Sequence, residues 1–401
     1  MKITLVTIVT PYRENYKGTT AVQYHLLAHR PKDVEVEIYS FNNNRLPEDK
    51  IKEVERELNV KIHLLPLPTW YKLVFALHLL FIRLFLKYPL HHYIAVPKKW
   101  VDKIKAVKPD GIWIYGEELS KVTRQFEGYK RIHTLPDSEA LYYHRMLGTR
   151  FVMNDMKKYW RCAFMYPKFR HMERDFDRDK SIHYHLVGKA DAEFLRDMAP
   201  GIQAHFIRHP HYDVAPLSGL RHFHSPIRLL IAGQYNLYMK QDADEFMSEL
   251  LGVDNKTKEG LQSNYQITFL GHGWEQHASD LQKDGWNAQH ITFAPNYIEE
   301  VTKHDIQLAP ISIGTGTKGK VLDALANGLL VIGTPYAMEN IAVESEKSCI
   351  VYHSTKEAVA AMQDIANNVE KYEAIAEEGR KAVLKYHSRT LVSSQLFDLF
   401  R

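Results

Sequence analysis

Apolar residues occur along the chain in short continuous runs, and the segments between them repeat their apolar positions every three or four residues. Short runs of this kind predict buried strands, and the longer repeats predict amphipathic helices. In the second half, the predicted strands are Ile227–Gly233, Tyr265–Gly271, Ile291–Phe293, a run that ends at Pro310, and Leu329–Ile332. Helices are predicted between them, including Asp244–Leu251 and Ile298–Lys303. Strands that alternate with helices predict a parallel, doubly wound sheet.

The first half shows the same alternation. Its predicted strands are Lys2–Val9, Val34–Phe41, Lys108–Tyr115 and Arg131–Leu135. A segment rich in Pro, Ser, Gly and His, Asp213–Ser225, is the predicted linker. A chain of 401 residues accommodates two domains of ordinary size. We therefore predict an α/β protein with two Rossmann-like domains at residues 1–215 and 216–385, followed by a helix at 386–401.

Composition supports a folded protein of a reducing compartment. The chain is 45% hydrophobic and 25% charged, which is typical of folded soluble proteins. Its two cysteines are far apart and make a disulfide framework improbable. The first residues, MKITLVTIVTP, lack the apolar core and cleavage site of a signal peptide and predict a strand. We expect a cytoplasmic protein.

The most informative stretch is a glycine loop between two predicted strands, within Asp305–Pro335. The loop residues are Gly314, Thr315, Gly316 and Thr317. A glycine loop that leads into a helix offers backbone N–H groups and the positive end of the helix dipole, which suits a phosphate. Lys318 and Lys320 add positive charge, and Asp323 can share a helix face with Lys320. The alternative is an ordinary strand-to-helix turn with a surface Lys–Asp pair, because neither the GxxxxGK[ST] nor the GxGxxG spacing is present.

The order of an apolar strand, the pattern PxxxGTGxKGKVLxALAxG and the run VIGTP resembles the donor-sugar half of retaining GT-B glycosyltransferases, especially glycosyltransferase family four. This resemblance implies two Rossmann-like domains that face a cleft, with the C-terminal helix crossing back to the first domain. It also implies that Asp323, at a position where the family usually has Glu, holds ribose or sugar hydroxyls. Family members often carry a second Glu where this chain has Thr315.

Further positions follow from the same resemblance. Gly233 and Lys240 match a strand-end glycine and a basic residue that meets the donor diphosphate, and Gly271 and Gly273 match the next glycine turn. Each of these glycines could also form only a tight turn. The first loop is expected to line the cleft with Gly18, Thr19 and Thr20, and the alternative is a plain turn and N-cap.

Asp137 lies at the carboxyl end of a predicted strand, where open α/β sheets place their ligands. We take Asp137, Lys240 and Lys320 as the candidate catalytic residues. Asp242 and Asp244 have the DxD spacing of metal-dependent sugar transferases, but they stand at a predicted helix start, where acids favour the dipole. We therefore predict no metal and no cofactor, with a nucleotide diphosphate sugar as co-substrate.

The most apolar stretch of the chain is Trp70–Leu90. Its longest uncharged run, Leu73–Ile82, is too short to span a bilayer. It predicts either a core helix or an interfacial helix whose basic residues reach lipid headgroups. The surrounding residues 61–110 contain nine Lys or Arg against two Asp, including Lys98, Lys99, Lys103, Lys105 and Lys108. An anionic membrane surface is therefore a candidate partner, and nucleic acid is not expected because no binding motif accompanies the cluster.

The leading hypothesis is a retaining glycosyltransferase that moves a sugar from a nucleotide diphosphate sugar to a saccharide or lipid-linked saccharide, in polysaccharide or glycolipid assembly. The C-terminal domain would hold the donor and the N-terminal domain the acceptor. It would act in the cytoplasm, with the inner face of the membrane as the alternative location. The rival hypotheses are a degenerate nucleotide-sugar-binding or membrane-scaffold protein, and a GT-B phosphorylase or epimerase.

Overall fold

The computed structural model describes residues 1–149, 155–217 and 219–401, and Ser218 of the predicted linker lies outside these ranges. The described chain divides into two compact units. One comprises Met1–Pro210 together with Arg389–Arg401, and the other comprises His211–Ser388. The predicted domain boundaries, after residues 215 and 385, lie a few residues from these points. The C-terminal segment groups with the first unit.

The sheet of the first unit is fully parallel over the described residues. Its strands are β1 (Lys2–Thr7), β2 (Glu35–Ser40), β3 (Lys61–Leu64), β4 (Gly111–Tyr115), β5 (Lys130–Leu135), β6 (Ile182–Leu186) and β7 (Ala204–Phe206), in the order β3-β2-β1-β4-β5-β6-β7. Every residue of the central strand β4 is buried, which explains its continuous apolar sequence. The strand order reverses between β1 and β4, and a crevice for ligands is expected at their carboxyl ends.

Helices and short 3₁₀ segments flank this sheet. The helices are Ala21–Ala28, Glu48–Leu58, Thr69–Ala76, Lys98–Ala106, Glu139–Leu147, Met156–Arg174, Lys189–Met198 and Arg389–Asp398, and the 3₁₀ segments are Leu80–Leu84, Leu90–Tyr93 and Glu117–Phe126. The last helix packs on the first unit. The hydroxyl of Ser393 donates to the carbonyl of Leu26 at 2.7 Å, and the Phe397 ring meets the buried Trp113 ring at 5.7 Å between centroids.

The second unit repeats the doubly wound plan. Its strands, again within the described part of the chain, are β8 (Ile227–Ala232), β9 (Tyr265–Leu270), β10 (Asn287–Ile291), β11 (Ile306–Ala309), β12 (Leu330–Gly333) and β13 (Ile350–Val351), all parallel in the order β10-β9-β8-β11-β12-β13. The order reverses between β8 and β11. The predicted α/β fold class with two Rossmann-like sheets is therefore confirmed.

The elements of the second unit agree with the sequence patterns except at β10. Its helices are Lys240–Gly252, Asn255–Asn264, Glu275–Lys283, Tyr297–Val301, Gly319–Ala326, Pro335–Met338, Thr355–Asn367 and Val369–Tyr386. The predicted strand Ile291–Phe293 was misplaced, because β10 is an edge strand that buries only Ala288 and so lacks an apolar run. None of the helices formed by the described ranges is long and apolar enough to cross a bilayer.

Candidate functional site

Two glycine turns follow strands β8 and β9 and lie back to back. Gly233 and Gly271 have φ angles of +144° and +136°, which disfavour other residues. A Cβ atom added to Gly271 would stand 2.1 Å from the carbonyl oxygen of Gly233. The indole N–H of Trp274 donates to that same oxygen at 2.8 Å. Gly273, with φ +93°, completes the second turn. Glycine is therefore required here by close backbone contact.

The loop after β11 is joined to the loop after β8. The backbone N–H of Ser312 donates to the carbonyl of Tyr238 at 2.7 Å, and the Ser312 hydroxyl accepts from the N–H of Asp242 at 2.9 Å. A Cβ on Gly314 would lie 3.9 Å from the Tyr238 ring. These contacts bring the segment before Lys240 and the glycine loop together at the crevice between β8 and β11.

Lys318 stabilises the glycine loop from within. Its ammonium donates to the carbonyl oxygens of Thr315 and Gly316 at 3.0 and 3.2 Å and lies 3.8 Å from Glu339. The side-chain amide of Asn340 donates to the same Gly316 carbonyl at 2.6 Å. Gly316 has φ +60°, a conformation that suits glycine. In this arrangement Lys318 shapes the loop that was predicted to bind phosphate.

The helix Gly319–Ala326 starts directly after this loop, and no side chain caps it. The N–H groups of its first turn and the positive end of its dipole therefore face the loop. Thr315 and Thr317 are half-buried in the loop, and the backbone of Thr315 is held through its carbonyl. Thr315 has no carboxylate to offer a sugar.

Lys320, Asp323 and Tyr297 form a compact group at the start of the same helix. Lys320 is exposed along its stem, but its ammonium lies 4.0 Å from the centroid of the Tyr297 ring, and desolvation there lowers its pKa. Asp323 is only 8% exposed, and burial raises its pKa to about 7 against the opposing effect of Lys320. Among the ion pairs within 4.0 Å in the part of the chain that the structure describes, none joins Lys320 to Asp323, so the surface Lys–Asp pair of the alternative interpretation is not formed.

The Tyr297 hydroxyl is buried and has no hydrogen-bond partner among the described atoms. Burial raises its pKa well above the usual value, and the neighbouring Asp323 adds to the increase. Tyr297 belongs to the short helix Tyr297–Val301, which follows β10. Sequence reasoning missed Tyr297, because its apolar neighbours indicated only a connecting helix.

Lys240 begins the helix Lys240–Gly252, and its ammonium lies 4.8 Å from the centroid of the Tyr235 ring. The two aspartates of the DxD motif have separate partners. Asp242 accepts from the Tyr352 hydroxyl, whereas Asp244 accepts from the Tyr235 hydroxyl and contacts His277 at 3.1 Å. Neither carboxylate accepts a capping hydrogen bond, but Asp242 lies in the first turn of the helix, where the dipole favours an acid, as the sequence predicted.

His, Cys, Asp and Glu side chains within the described ranges form no group of three that could hold a metal ion. Metal independence stays a prediction.

A second group of polar side chains lies at the carboxyl ends of β4 and β5 in the first unit. Glu117 and Glu118 follow β4, and Asp137 and Glu139 follow β5. Burial and the Glu139 carboxylate raise the pKa of Glu117. Burial, with Asp137 and Glu173 nearby, raises the pKa of Glu139 to about 8. Four half-buried carboxyl groups therefore share this edge, and only Asp137 had been selected from the sequence as catalytic.

The turn that carries Asp137 is braced from two other helices. Glu173 accepts from the Ser138 hydroxyl at 2.7 Å and from the N–H of Ala140 at 2.9 Å, and Asp191 accepts from the N–H of Ser138 at 2.9 Å. Burial raises the pKa of Glu173 to about 7. These bonds fix the start of the helix Glu139–Leu147 and so fix the position of Asp137.

The first loop is held by Thr20. Its hydroxyl accepts from the N–H of Tyr16 at 2.9 Å and donates to the carbonyl of Glu14, so it does not cap the following helix. Gly18 and Thr19 are exposed, and the Tyr115 hydroxyl donates to the Thr19 carbonyl at 3.2 Å. That these residues line a cleft stays a prediction.

Comparison with known proteins gives one family match and several solved structures of similar fold. A family model described as "Glycosyl transferase-like" matches residues 253–397. Solved structures align along the whole chain. HepE (Alr3699) of Anabaena in complex with UDP gives a TM-score of 0.63 at 10% identity, covering 99% of both chains. No curated protein sequence matches the chain.

Two further solved structures have the same fold over nearly the whole chain. Sucrose-phosphate synthase of Thermosynechococcus elongatus gives a TM-score of 0.61 at 12% identity and covers 100% of this chain and 98% of its own. WaaG, a glycosyltransferase involved in lipopolysaccharide biosynthesis, gives 0.57 at 12% identity over 99% of both chains. The fold is GT-B. The resemblance of the second half to glycosyltransferases is confirmed over residues 253–397, a range that includes β11 and the glycine loop but not β8.

Proposed function

We propose that this GT-B protein is a retaining glycosyltransferase that uses a nucleotide diphosphate sugar and an acceptor hydroxyl. The observation that carries the proposal is the crevice between β8 and β11. There, glycine turns at Gly233 and Gly271 and the loop around Gly316 bring backbone without side chains close to a helix start that no side chain caps. Such backbone suits a diphosphate. HepE, one of the similar proteins, was solved with UDP and with UDP-glucose, which favours the same ligand class here.

Transfer leaves negative charge on the departing diphosphate, and fixed positive groups would offset it. In our proposal these groups are the first N–H groups of Gly319–Ala326 and the ammonium of Lys320, with Lys240 opposite. Lys318 would act indirectly, by holding the glycine loop in its conformation, since its ammonium donates to the loop carbonyls. Asp323 would accept hydrogen bonds from ribose or sugar hydroxyls. No metal is needed in this scheme.

The acceptor would bind at the carboxyl ends of β4 and β5. Sugar hydroxyls are hydrogen-bond donors, and Glu117, Glu118, Asp137 and Glu139 offer acceptors there. We assign Asp137 the role of orienting the attacking hydroxyl, because its turn is fixed by Glu173 and Asp191. The acceptor class is a saccharide or a lipid-linked saccharide of cell-surface polysaccharide or glycolipid assembly.

The test is a panel of nucleotide sugars, assayed for nucleotide release with and without saccharide acceptors. We expect release with one donor class, and a product whose anomeric configuration, read by NMR, equals that of the donor. An inverted product would contradict the retaining mechanism. A requirement for inorganic phosphate would favour a phosphorylase, and an altered sugar without acceptor would favour an epimerase.

Two observations favour a second candidate, a nucleotide-sugar-binding protein without turnover. Thr315 carries no carboxylate at a position where the family often has Glu, and Lys318 is occupied by its own loop. A protein of this kind would bind UDP or a nucleotide sugar in calorimetry and release no nucleotide over long incubation. Detectable release that depends on Lys320 would exclude it.

A further inference from the structure

The stretch after β3 forms an exposed apolar surface. The helix Thr69–Ala76 buries only Val74, and the 3₁₀ segment Leu80–Leu84 buries none of its residues. Phe85 is 83% exposed, and Leu77, Phe81 and Leu84 are each more than half exposed. Of the two alternatives for Trp70–Leu90, the core helix does not fit this part. Contiguous exposed apolar side chains of this size indicate an interaction site.

The helix Met156–Arg174 extends the same surface. Phe164 and Met165 of this helix line a cavity of about 390 Å³ together with Leu80, Phe81 and Leu84. Trp160, one helical turn before Phe164, is 63% exposed. We call the exposed side chains of Leu77, Phe81, Leu84, Phe85 and Trp160 the apolar face.

Two arginines lie in the wall of this cavity, Arg83 and Arg161. Neither has a carboxylate within 4.0 Å among the residues that the structure describes, and Arg83 lies 5.8 Å from the centroid of the Phe75 ring. Guanidinium groups bind phosphate oxygens in a bidentate manner. A cavity with apolar walls and two unpaired arginines therefore has the chemistry of a phosphate attached to an apolar chain.

The lysine-rich helix Lys98–Ala106 packs on different residues. Its Trp100 meets the rings of Tyr39 and His63, and Lys99 and Lys103 lie over Trp100 itself. The apolar face therefore does not share these ring contacts of the lysine cluster, although Tyr71 of the helix Thr69–Ala76 and Trp100 pack on the same core. Arg83 and Arg161 are the cations in the cavity wall itself. Lys168 is a third cation beside it, with its ammonium 4.8 Å from the centroid of the Phe164 ring and bound to the Leu86 carbonyl.

We propose that the apolar face inserts into the surface of an anionic membrane and that the cavity between Arg83 and Arg161 takes the phosphate of an anionic phospholipid. The aromatic and aliphatic side chains would enter the headgroup region, where Trp and Phe are favourable. The arginines would give selectivity for anionic lipid. This proposal does not rest on sugar transfer, because vesicle binding is measured without donor or acceptor.

The experiment is sedimentation of the full chain with vesicles of phosphatidylcholine, alone or mixed with phosphatidylglycerol, at low and high salt. We expect binding that requires phosphatidylglycerol. The variant Arg83→Gln/Arg161→Gln should raise the lipid concentration for half-binding about thirtyfold, since two cations near an anionic surface are lost. The matched control is Lys98→Gln/Lys99→Gln, which removes the same charge and should change binding less.

The variant Phe81→Ser/Phe85→Ser should lose binding at both salt concentrations. Both side chains are exposed, so its melting temperature should equal that of the unchanged protein. Equal binding by the arginine variant and the unchanged protein would overturn the proposal. So would loss of binding only in the lysine variant, or no binding at low salt.

Two further arms distinguish other occupants. Glycerol phosphate that displaces the protein from vesicles at low concentration would show a site for soluble phosphate and overturn the membrane assignment. A dimer in analytical ultracentrifugation that Phe81→Ser/Phe85→Ser disrupts, without vesicle binding, would assign the face to a second copy of the chain.

Discussion

Lys320 is the residue on which the proposed chemistry depends most directly. Lys320 lies three residues before Asp323 on the helix that starts at the glycine loop. Its ammonium is desolvated over the Tyr297 ring. We expect Lys320→Ala to reduce nucleotide release about a hundredfold, because a preorganised positive group of this kind contributes roughly 3 kcal/mol to transition-state binding. The measurement is kcat with the donor found in the panel.

The matched control is Lys356→Ala. Lys356 is also the second residue of a helix, Thr355–Asn367, and it is exposed. Its removal should leave kcat and the melting temperature unchanged. Equal turnover in Lys320→Ala and Lys356→Ala would reduce the glycine loop to a structural turn.

Asp323 should make donor affinity depend on pH. Its pKa of about 7 means that the carboxylate is mostly protonated at pH 6 and mostly ionised at pH 8. A carboxylate accepts hydrogen bonds from hydroxyls more strongly than a carboxylic acid does. Calorimetry should therefore show that the nucleotide sugar found in the panel binds about tenfold tighter at pH 8 than at pH 6, and Asp323→Asn should remove this dependence.

The raised pKa of Asp323 also affects stability, which should fall as pH rises, whereas donor affinity should rise. The folded protein holds a proton on Asp323 between the ordinary pKa of 3.8 and about 7, so its free energy of unfolding falls as pH rises through that window. Asp323→Asn should melt no lower than the unchanged protein at pH 8. A lower melting temperature with unchanged donor affinity would show that Asp323 has only a structural role.

At the scale of elements, the crevice depends on loops that meet across strands. Gly271→Ala places a Cβ atom 2.1 Å from the Gly233 carbonyl at a φ of +136°. We expect it to lower the free energy of unfolding by about 3 kcal/mol and to abolish binding of the proposed nucleotide-sugar donor. Denaturant unfolding and calorimetry measure the two effects.

Gly260→Ala is the control for that substitution. Gly260 lies in the helix Asn255–Asn264, and an added Cβ would meet nothing within 4 Å. Alanine in a helix stabilises relative to glycine by about 1 kcal/mol. If Gly271→Ala behaves like Gly260→Ala, the two turns are not in the close contact described.

Sequence patterns predicted the helices and strands of this molecule better than the contacts between residues that are far apart in the chain. The sequence predicted the glycine loop and the helix that brings Lys320 and Asp323 to one face, because both depend only on residues close together in the chain. Tyr297 was not, since it reaches the site from another helix. For Trp70–Leu90 the sequence left a core helix and an interfacial helix open, because apolar composition alone does not distinguish burial in a core from exposure to a partner. That distinction depends on tertiary packing.

At the scale of the whole molecule, each unit has its own parallel sheet, and the strand order predicts where each binds ligand. The first unit also needs the helix Arg389–Asp398. Phe397→Ala should lower the free energy of unfolding by about 3 to 5 kcal/mol, because Phe397 is fully buried against Trp113. Urea unfolding followed by tryptophan fluorescence measures this.

Leu391→Ala on the same helix is the comparison, since Leu391 is exposed. It should change the free energy of unfolding by less than about 1 kcal/mol. Similar losses from the two substitutions would mean that the helix as a whole, and not the contact with Trp113, determines the effect.

The chain order of the units bears on how the protein is made. The second unit is continuous, whereas the first unit is interrupted by it and receives its last helix from Arg389–Asp398. A ribosome delivers residues in order, so the slot beside Trp113 stays open while all of His211–Ser388 is translated. A nascent chain therefore carries an unfilled apolar slot that chaperones can bind throughout the synthesis of the second unit. The unit whose sequence emerges first is the last to be completed.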